Sequence, residues 1–201
     1  MALKYAVNNS LSAITSLPSG ISGGALNLIS TQTASASATI DFTSGIDSTY
    51  DSYIFKFYNI HPATDIVNFS FQASTDGGSS YGITMTTTAF IAYNNESGSP
   101  SALIYNSGQD LAQSTSFQSL VDNIGNGADE CCSGSLTLFN PSSTTYVKHF
   151  LSRINEYNAG DFSREDYVAG YFNTTSAINA IQFKFASGNI DDGIIKMYGV
   201  S

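Results

Sequence analysis

Apolar and polar residues alternate along most of the chain from residue 38 onward. At the start of this region, Ala38, Ile40 and Phe42 fall on one face of an extended chain, and Thr39 and Asp41 fall on the other. A period of two is typical of β-strands with one buried face. The same alternation recurs at residues 53–58, 67–72, 83–93, 136–139, 146–154, 167–172, 178–185 and 194–200. The pattern predicts about eight or nine short strands.

Turn-forming residues separate these segments. Asp76-Gly77-Gly78 tolerates positive φ and predicts a hairpin, while the Asn- and Ser-rich segment of residues 94–132 predicts long loops at one end of the fold. Only residues 109–123 have a weak helical period. Because the crossover helices of a parallel sheet are missing, the sequence predicts an all-β fold, an antiparallel, jelly-roll-like β-sandwich.

The N-terminal region has a different composition from the rest of the chain. Residues 1–36 contain paired Asn, paired Gly, a Pro-Ser-Gly triplet and a run of Ser, Thr and Ala, which is typical of linkers. We therefore expect a flexible, extended N-terminal arm at residues 1–36 and one β-sandwich domain at residues 37–201. Within the arm, Leu26, Leu28 and Ile29 are able to form one short anchoring strand.

The charge of the chain limits its partners. It has 16 acidic and 7 basic side chains, a net charge of −9, and only 11% charged residues. Nucleic acids and anionic membranes attract clustered Lys and Arg, and no such cluster is present, so neither is an expected partner. No apolar run has the length of a signal peptide or a transmembrane helix. A surface of hydroxyls and amides suits a protein packed against copies or partners.

The only cysteines, Cys131 and Cys132, are adjacent and cannot link distant parts of the fold. A vicinal disulfide is a strained alternative, and two neighbouring thiols make a poor zinc site without further ligands. We interpret them as two ordinary thiols in a loop or at a strand end.

Residues 74–81, Ser-Thr-Asp-Gly-Gly-Ser-Ser-Tyr, resemble the Asp-box of sialidases and other carbohydrate-active β-proteins. Ser80 and Tyr81 depart from the last two residues of that pattern. In that family the motif recurs several times and its Asp accepts backbone hydrogen bonds. A single copy predicts a tight turn around Asp76 rather than a sugar site.

Candidate catalytic groups are few. His61, in a predicted turn, and His149, in a predicted strand, lie near no nucleophile or metal motif, so we interpret both as structural. The carboxylates that fall mostly in predicted turns are Asp47, Asp51, Asp65, Asp129, Glu130, Asp191 and Asp192. The pairs at 129–130 and 191–192 allow calcium binding as an alternative, although no EF-hand spacing is present. The sequence predicts no catalytic residue, no cofactor-binding residue and no metal ligand.

Aromatic residues are abundant, with 12 Tyr, 13 Phe and no Trp. Most are expected in the core and rim of the sandwich. Exposed tyrosines in loops, with Tyr93 and Tyr105 as candidates, are able to stack on sugar rings or fill a subunit interface.

Several stretches of residues 37–201 resemble structural proteins of tailed bacteriophages, particularly marine and cyanobacterial phages. They include "FQASTDGGSSY", "SGSLTLFNPSSTTYVKHF", "AGYFNTTSAINAIQFKF" and, as the most recognisable, "SGNIDDGIIKMYGV". The resemblance implies a β-rich virion module and no catalytic residues. Members resemble capsid decoration or head-fibre proteins, or parts of tail fibres.

The resemblance and the candidate residues together leave three hypotheses of function. The first is a non-enzymatic decoration, or cement, protein on the outer surface of the phage head, bound to the major capsid protein and to copies of itself as a homotrimer. The second is a tail-fibre or appendage module that binds host-surface polysaccharide. The third is a glycan-cleaving enzyme, which would need two carboxyl groups held about 5 to 9.5 Å apart across a cleft.

Overall fold

The computed structural model of the chain describes residues 25–200, and all regular structure in this range is β-strand. Within the same range, no helix has the length and apolar character that a bilayer span requires. The strands are β1 (Leu26–Thr33), β2 (Ile40–Phe42), β3 (Ser52–Pro62), β4 (Val67–Ser74), β5 (Met85–Asn95), β6 (Ser101–Tyr105), β7 (Gln118–Ile124), β8 (Cys132–Phe139), β9 (Lys148–Asn158), β10 (Phe162–Phe172), β11 (Ala180–Phe185) and β12 (Ile190–Val200). The predicted all-β class is confirmed.

The strands pair antiparallel throughout and connect into one sheet that folds over on itself. The sheet bends over between β7 and β9, which pair only at Ile124 and Asn158. One side, the large layer, has the strand order β1-β12-β3-β8-β9-β10-β5-β6. The other side, the small layer, has the order β7-β4-β11-β2. The two layers form the predicted antiparallel sandwich.

Phenylalanine rings fill the space between the two layers. Because side chains two residues apart share a face, the alternating phenylalanines of β3, β4 and β11 all point inward. Phe57 of β3 meets Phe69 of β4 edge-on at a centroid distance of 5.4 Å, and Phe71 of β4 meets Phe150 of β9 at 5.0 Å. The ring of Phe183 in β11 lies within 6.2 Å of the rings of Phe42, Phe55, Phe57, Phe69 and Phe71. Aromatic packing therefore joins the layers.

The region before β8 differs from the sequence predictions. The expected long loops of residues 94–132 contain two further strands, β6 and β7, and the weak helical period over residues 109–123 does not give a helix. Leu120, Val121 and Ile124 of β7 are buried in the core. Burial against the other strands of the small layer decides the local structure here, since short segments follow packing more than propensity.

Part of the predicted N-terminal arm is a strand. Residues 1–24 lie outside the described residues, but β1 pairs with β12 at one edge of the large layer. The short anchoring strand expected at Leu26, Leu28 and Ile29 is present, and it extends to Thr33.

Residues 74–81 form the tight turn predicted from the Asp-box resemblance. The carboxylate of Asp76 accepts hydrogen bonds from the hydroxyls of Ser74 and Ser80 and from the backbone N–H of Ser80, which lower the pKa of Asp76 to about 2. The predicted hairpin is wrong, because β4 belongs to the small layer and β5 to the large layer. The turn carries the chain from one layer to the other.

Replacing Phe183 by Ala should destabilise the domain strongly, because it leaves a cavity where the aromatic rings of both layers meet. We expect a loss of about 3–5 kcal/mol in the free energy of unfolding, measured by urea denaturation. Tyr146→Ala, which truncates a side chain that is 70% exposed, is the control and should cost less than about 0.5 kcal/mol. Equal losses for the two variants would contradict this account of the core.

Candidate interaction surfaces and a buried charge cluster

The outer face of the large layer, which points away from the core, carries a shallow groove. Cross-strand register aligns Thr88 of β5, Ala169 of β10, Leu151 of β9 and Thr137 of β8 along it. Because its neighbours are small, Leu151 stands out between two pockets of about 300 and 270 Å³, and it is 54% exposed. We call these four residues and the two pockets the outer-face groove. A protruding leucine beside two pockets is suited to interlocking with a partner surface.

An aromatic pair borders the outer-face groove. The rings of Phe90 in β5 and Tyr167 in β10 are stacked, with centroids 4.5 Å apart and planes 8° apart. The guanidinium of Arg153 lies over the other side of the Tyr167 ring at 5.4 Å and forms an ion pair with Glu165. This arrangement places the edges of two stacked rings beside hydrogen-bonding groups.

The two acidic pairs noted in the sequence line one open pocket, at the edge of the sheet where β3 ends and β12 begins. The pocket has a volume of about 530 Å³ and contains Asp129 and Glu130 from the loop before β8 with Asp191 and Asp192 from the start of β12. His61 lies among them, with its Nδ1 3.8 Å from the Asp191 carboxylate. Sequence reasoning did not place these groups together, because only the pairing of β3 with both β12 and β8 brings them to one end.

A bulge explains the position of the acidic residues of β12. The register with β3 shifts on both sides of Asp192, and Gly193 has a φ of 128°, which favours glycine. A Cβ at Gly193 would lie 2.8 Å from the carbonyl oxygen of Asn59. Asp191 therefore belongs to a bulged strand and not to the turn predicted for it, and the same correction applies to Asp192.

The remaining predictions for this region have mixed outcomes. The turn or loop positions expected for Asp47, Asp51, Asp65, Asp129 and Glu130 are confirmed. His61 lies in β3 and not in a turn, and its Nε2 is 3.1 Å from the carbonyl oxygen of Gly127. In residues 25–200, no three His, Cys, Asp or Glu side chains are grouped closely enough to hold a metal ion, so the calcium alternative gains no support.

The other singled-out side chains lie in strands. His149 is on the outer face of β9, as predicted for a strand, with its ring 6.0 Å from that of Tyr171. Tyr93 and Tyr105 lie in β5 and β6 rather than in loops. Tyr105 is exposed, and its hydroxyl donates a hydrogen bond to the Asp110 carboxylate. This hydrogen bond raises the pKa of Tyr105.

Both cysteines are free thiols, as the sequence predicts. Cys132 is buried at the start of β8, and this burial raises the pKa of its thiol well above the ordinary value. A buried thiol of raised pKa is a weak nucleophile, so Cys132 acts as a small apolar core residue.

A cluster of charged side chains is buried on the inner face of β9 and β10, beside Cys132, which pairs with Glu156. The guanidinium of Arg164 in β10 forms ion pairs with Asp122, with Glu156 of β9 at 3.5 Å and with Asp166 at 2.8 Å. The amide of Gln109 donates to the same Asp166 oxygen at 3.0 Å. One cation thus faces three carboxyl groups in a site from which water is largely excluded.

Burial changes the protonation of this cluster. Loss of solvation, followed by the nearby charge of Asp166, raises the pKa of Glu156 to about 9. Burial also raises the pKa of Asp166 to about 6, although Arg164 opposes the shift. This raised pKa favours the protonated form of Glu156 at neutral pH, beside the Arg164 guanidinium.

Four polar atoms of the cluster have no hydrogen-bond partner among the described residues: Gln109 Oε1, Glu156 Oε2, Arg164 Nε and Asp166 Oδ2. A proton on Glu156 adds a donor to a site that has an excess of acceptors. The side chains of Glu156 and Asp166 are fully buried, and Arg164 is the member that lines an adjoining pocket of about 220 Å³. The geometry suits a fixed structural site more than contact with a substrate.

Sequence reasoning missed this cluster, although a signal is present. In β9 the inward positions are Phe150, Ser152, Ile154 and Glu156, and in β10 they include Arg164 and Asp166. The strict period of two therefore assigns these charges to the inner face. The antiparallel register then places Arg164 directly opposite Glu156.

Comparison with known proteins adds no relative: no family model, no curated protein and no solved structure matches the chain. The kinship with phage structural proteins therefore stays a prediction from the sequence.

Replacing Glu156 by Gln should change how stability depends on pH. In the wild type, Glu156 ionises near pH 4.5 when unfolded but only near pH 9 when folded, so the folded state binds more protons and the free energy of unfolding falls as pH rises between these values. Gln keeps the shape of the neutral acid and does not titrate. We expect E156Q to remove most of this fall above about pH 6 and to raise the free energy of unfolding at about pH 8 by on the order of 2 kcal/mol.

Urea denaturation at several pH values measures this effect. Glu165→Gln is the matched control, since Glu165 lies on the same sheet, pairs with Arg153 near the surface and has a lowered pKa. E165Q should keep the wild-type fall in stability above pH 6. An unchanged pH dependence in E156Q would show that Glu156 is ionised in the folded state.

Proposed function

We propose that the protein is a non-enzymatic structural protein of a virus particle, and that it decorates the outer surface of a tailed-phage head and stabilises the head. The outer-face groove is the observation that carries this proposal, together with the sequence resemblance described above. Its partners are the major capsid protein and copies of itself, which the resemblance predicts to form a homotrimer. Its function is to bind the capsid, because the interface that it buries against neighbouring capsid subunits holds them together.

Physical reasons support binding through the outer-face groove. Leu151, Thr88 and Ala169 lose little hydration free energy when a partner covers them, because none of them is charged. The sheet beneath is tied on one side to the phenylalanine core, so the surface is ordered before binding and association costs less conformational entropy. The low charge of the chain also reduces the hydration free energy that is lost when a partner covers the surface around the groove.

Leu151→Asp tests this proposal, because it places an unpaired charge in the centre of the expected contact. We expect wild-type protein to rebind phage heads from which it has been removed and to restore their resistance to heat. L151D should bind at least about ten-fold more weakly, since burying an unpaired carboxylate costs more than one factor of ten in affinity. Ile66→Asp, at another exposed apolar residue, is the control and should bind like the wild type.

Localisation by cryo-electron microscopy of the intact particle provides the second measurement. Density on the head at three-fold or quasi-three-fold positions is the expected result. Density at the tail alone, or failure of the wild type to rebind heads, would reject decoration.

A second candidate is a tail-fibre or appendage module that binds host-surface polysaccharide, and the stacked Phe90 and Tyr167 favour it. The edges of these stacked rings beside Arg153 and Glu165 are able to pack against the apolar face of a sugar while the charged groups bind its hydroxyls. On this hypothesis, Tyr167→Ala lowers binding to host polysaccharide at least about ten-fold, measured on a glycan array or with purified polysaccharide, a loss of about 1.4 kcal/mol. Tyr146→Ala, in the loop before β9, should not change binding. An absence of binding by the wild type would remove the candidate.

A further inference from the structure

Among the strands of residues 25–200, β1 and β6 lie at the two edges of the large layer, and they differ in how well they are protected. The pairing of β1 with β12 contains a bulge between Leu28 and Ser30, which disturbs the edge. The pairing of β6 with β5 runs without a register shift. Regular, apolar edge strands pair readily with other strands, and natural proteins usually protect them with bulges, charges or proline.

The free edge of β6 presents a regular set of backbone groups. Asn95 N–H bonds to the carbonyl oxygen of Pro100, and Asn106 N–H bonds to that of Ala89. Since hydrogen-bonded pairs alternate in an antiparallel ladder, the N–H and C=O groups of residues 102 and 104 point to β5. Those of Ser101, Leu103 and Tyr105 point outward, and no strand of residues 25–200 pairs with them.

The side chains of β6 are apolar and exposed on both faces of the sheet. Leu103 is 69% exposed, Tyr105 57% and Ile104 45%, although Leu103 and Tyr105 point to the opposite face from Ile104. None of the five residues of β6 is charged. Two copies of this acidic chain therefore bring no carboxylate of β6 itself together, and the nearby carboxylate of Asp110 already accepts a hydrogen bond from Tyr105.

We propose that β6 pairs antiparallel with β6 of a second copy, about a two-fold axis that passes through Leu103. In this register Leu103 lies opposite Leu103 of the copy, and Ser101 lies opposite Tyr105. Ala102 then lies opposite Ile104 on the other face. Each large side chain meets a small one away from the axis, and the outward N–H and C=O groups of all three odd-numbered residues find partners.

The complementarity of β6 with itself is the reason to choose a second copy as the occupant. The pairing extends the large layer into one continuous sheet with eight strands from each copy. It also agrees with a trimer on the head, because neighbouring three-fold positions of an icosahedral shell are related by two-fold axes. The inference does not depend on the proposed function, since its test needs no capsid.

Sedimentation equilibrium of the full chain tests the contact. The wild type should have twice the mass of Leu103→Lys at the same concentration where the smaller unit is one chain, and at least twice its mass where that unit is a trimer with three β6 edges. The reason is that the variant places two ammonium groups together at the axis. Leu28→Lys on β1, at a residue that is 57% exposed, is the matched control and should keep the wild-type mass. An equal mass for wild type and L103K, or an equal loss in L28K, would overturn the proposal.

Cross-linking tests the register independently of mass. In a Cys131→Ser background, Leu103→Cys should form a disulfide with itself, because opposite residues of a hydrogen-bonded pair have Cα atoms about 5.5 Å apart, within disulfide range. Ser101→Cys and Tyr105→Cys chains should cross-link with each other when mixed, and neither should cross-link with itself. Self-linking of Y105C, or no linking of L103C, would overturn the two-fold register.

Discussion

The packing of phenylalanine rings between the two layers is the interaction on which the rest of the structure depends. The small layer has only four strands, and one residue pair, Ile124 with Asn158, connects it to the large layer by backbone hydrogen bonds. The described residues contain no disulfide that could hold the layers together. Aromatic burial must therefore fix their separation, and the rings around Phe183 are the centre of that contact. The outer-face groove is flat and ordered because its other side is part of this core.

The inner face changes in character along β9 and β10. At one end Phe150 and Phe172 belong to the aromatic core, and at the other Glu156 and Arg164 form the charge cluster. A buried ion pair contributes little net stability, since the loss of hydration offsets the attraction. The ion pair instead favours the correct register of β9 against β10. A slip by one residue would turn Glu156 outward and leave Arg164 buried without it. The cluster thus makes incorrect pairing of β9 with β10 costly.

The parts of the fold that follow from local alternation could be predicted from the sequence, and those that depend on long-range pairing could not. The strands around Phe55, Phe69 and Phe183 have clear alternation and were predicted in place. Strand β6 was missed because Leu103, Ile104 and Tyr105 are consecutive and apolar, so they do not alternate. The acidic pocket was also missed, since Asp129 and Asp191 are distant in sequence and meet only through strand order.

For the charge cluster, the information was present but incomplete. Alternation assigns Glu156 and Arg164 to the inner face, but no local rule shows that Asp122 reaches the same point from β7. The sequence therefore identifies the class of fold and most of its strands. The surfaces that could carry function follow from which strands become neighbours, and neither composition nor spacing determines this.

The position of β12 has a consequence for folding in the cell. β12 lies between β1 and β3 and pairs with both, yet it follows all the other described strands along the chain. During synthesis β1 and β3 must therefore wait for residues 190–200 before that side of the large layer can form. Contacts of such sequence separation slow folding and leave unpaired strands exposed meanwhile. The polar residues 30–33 of β1 and the net negative charge of the chain are then useful before the native state exists, because they limit association of unfinished chains.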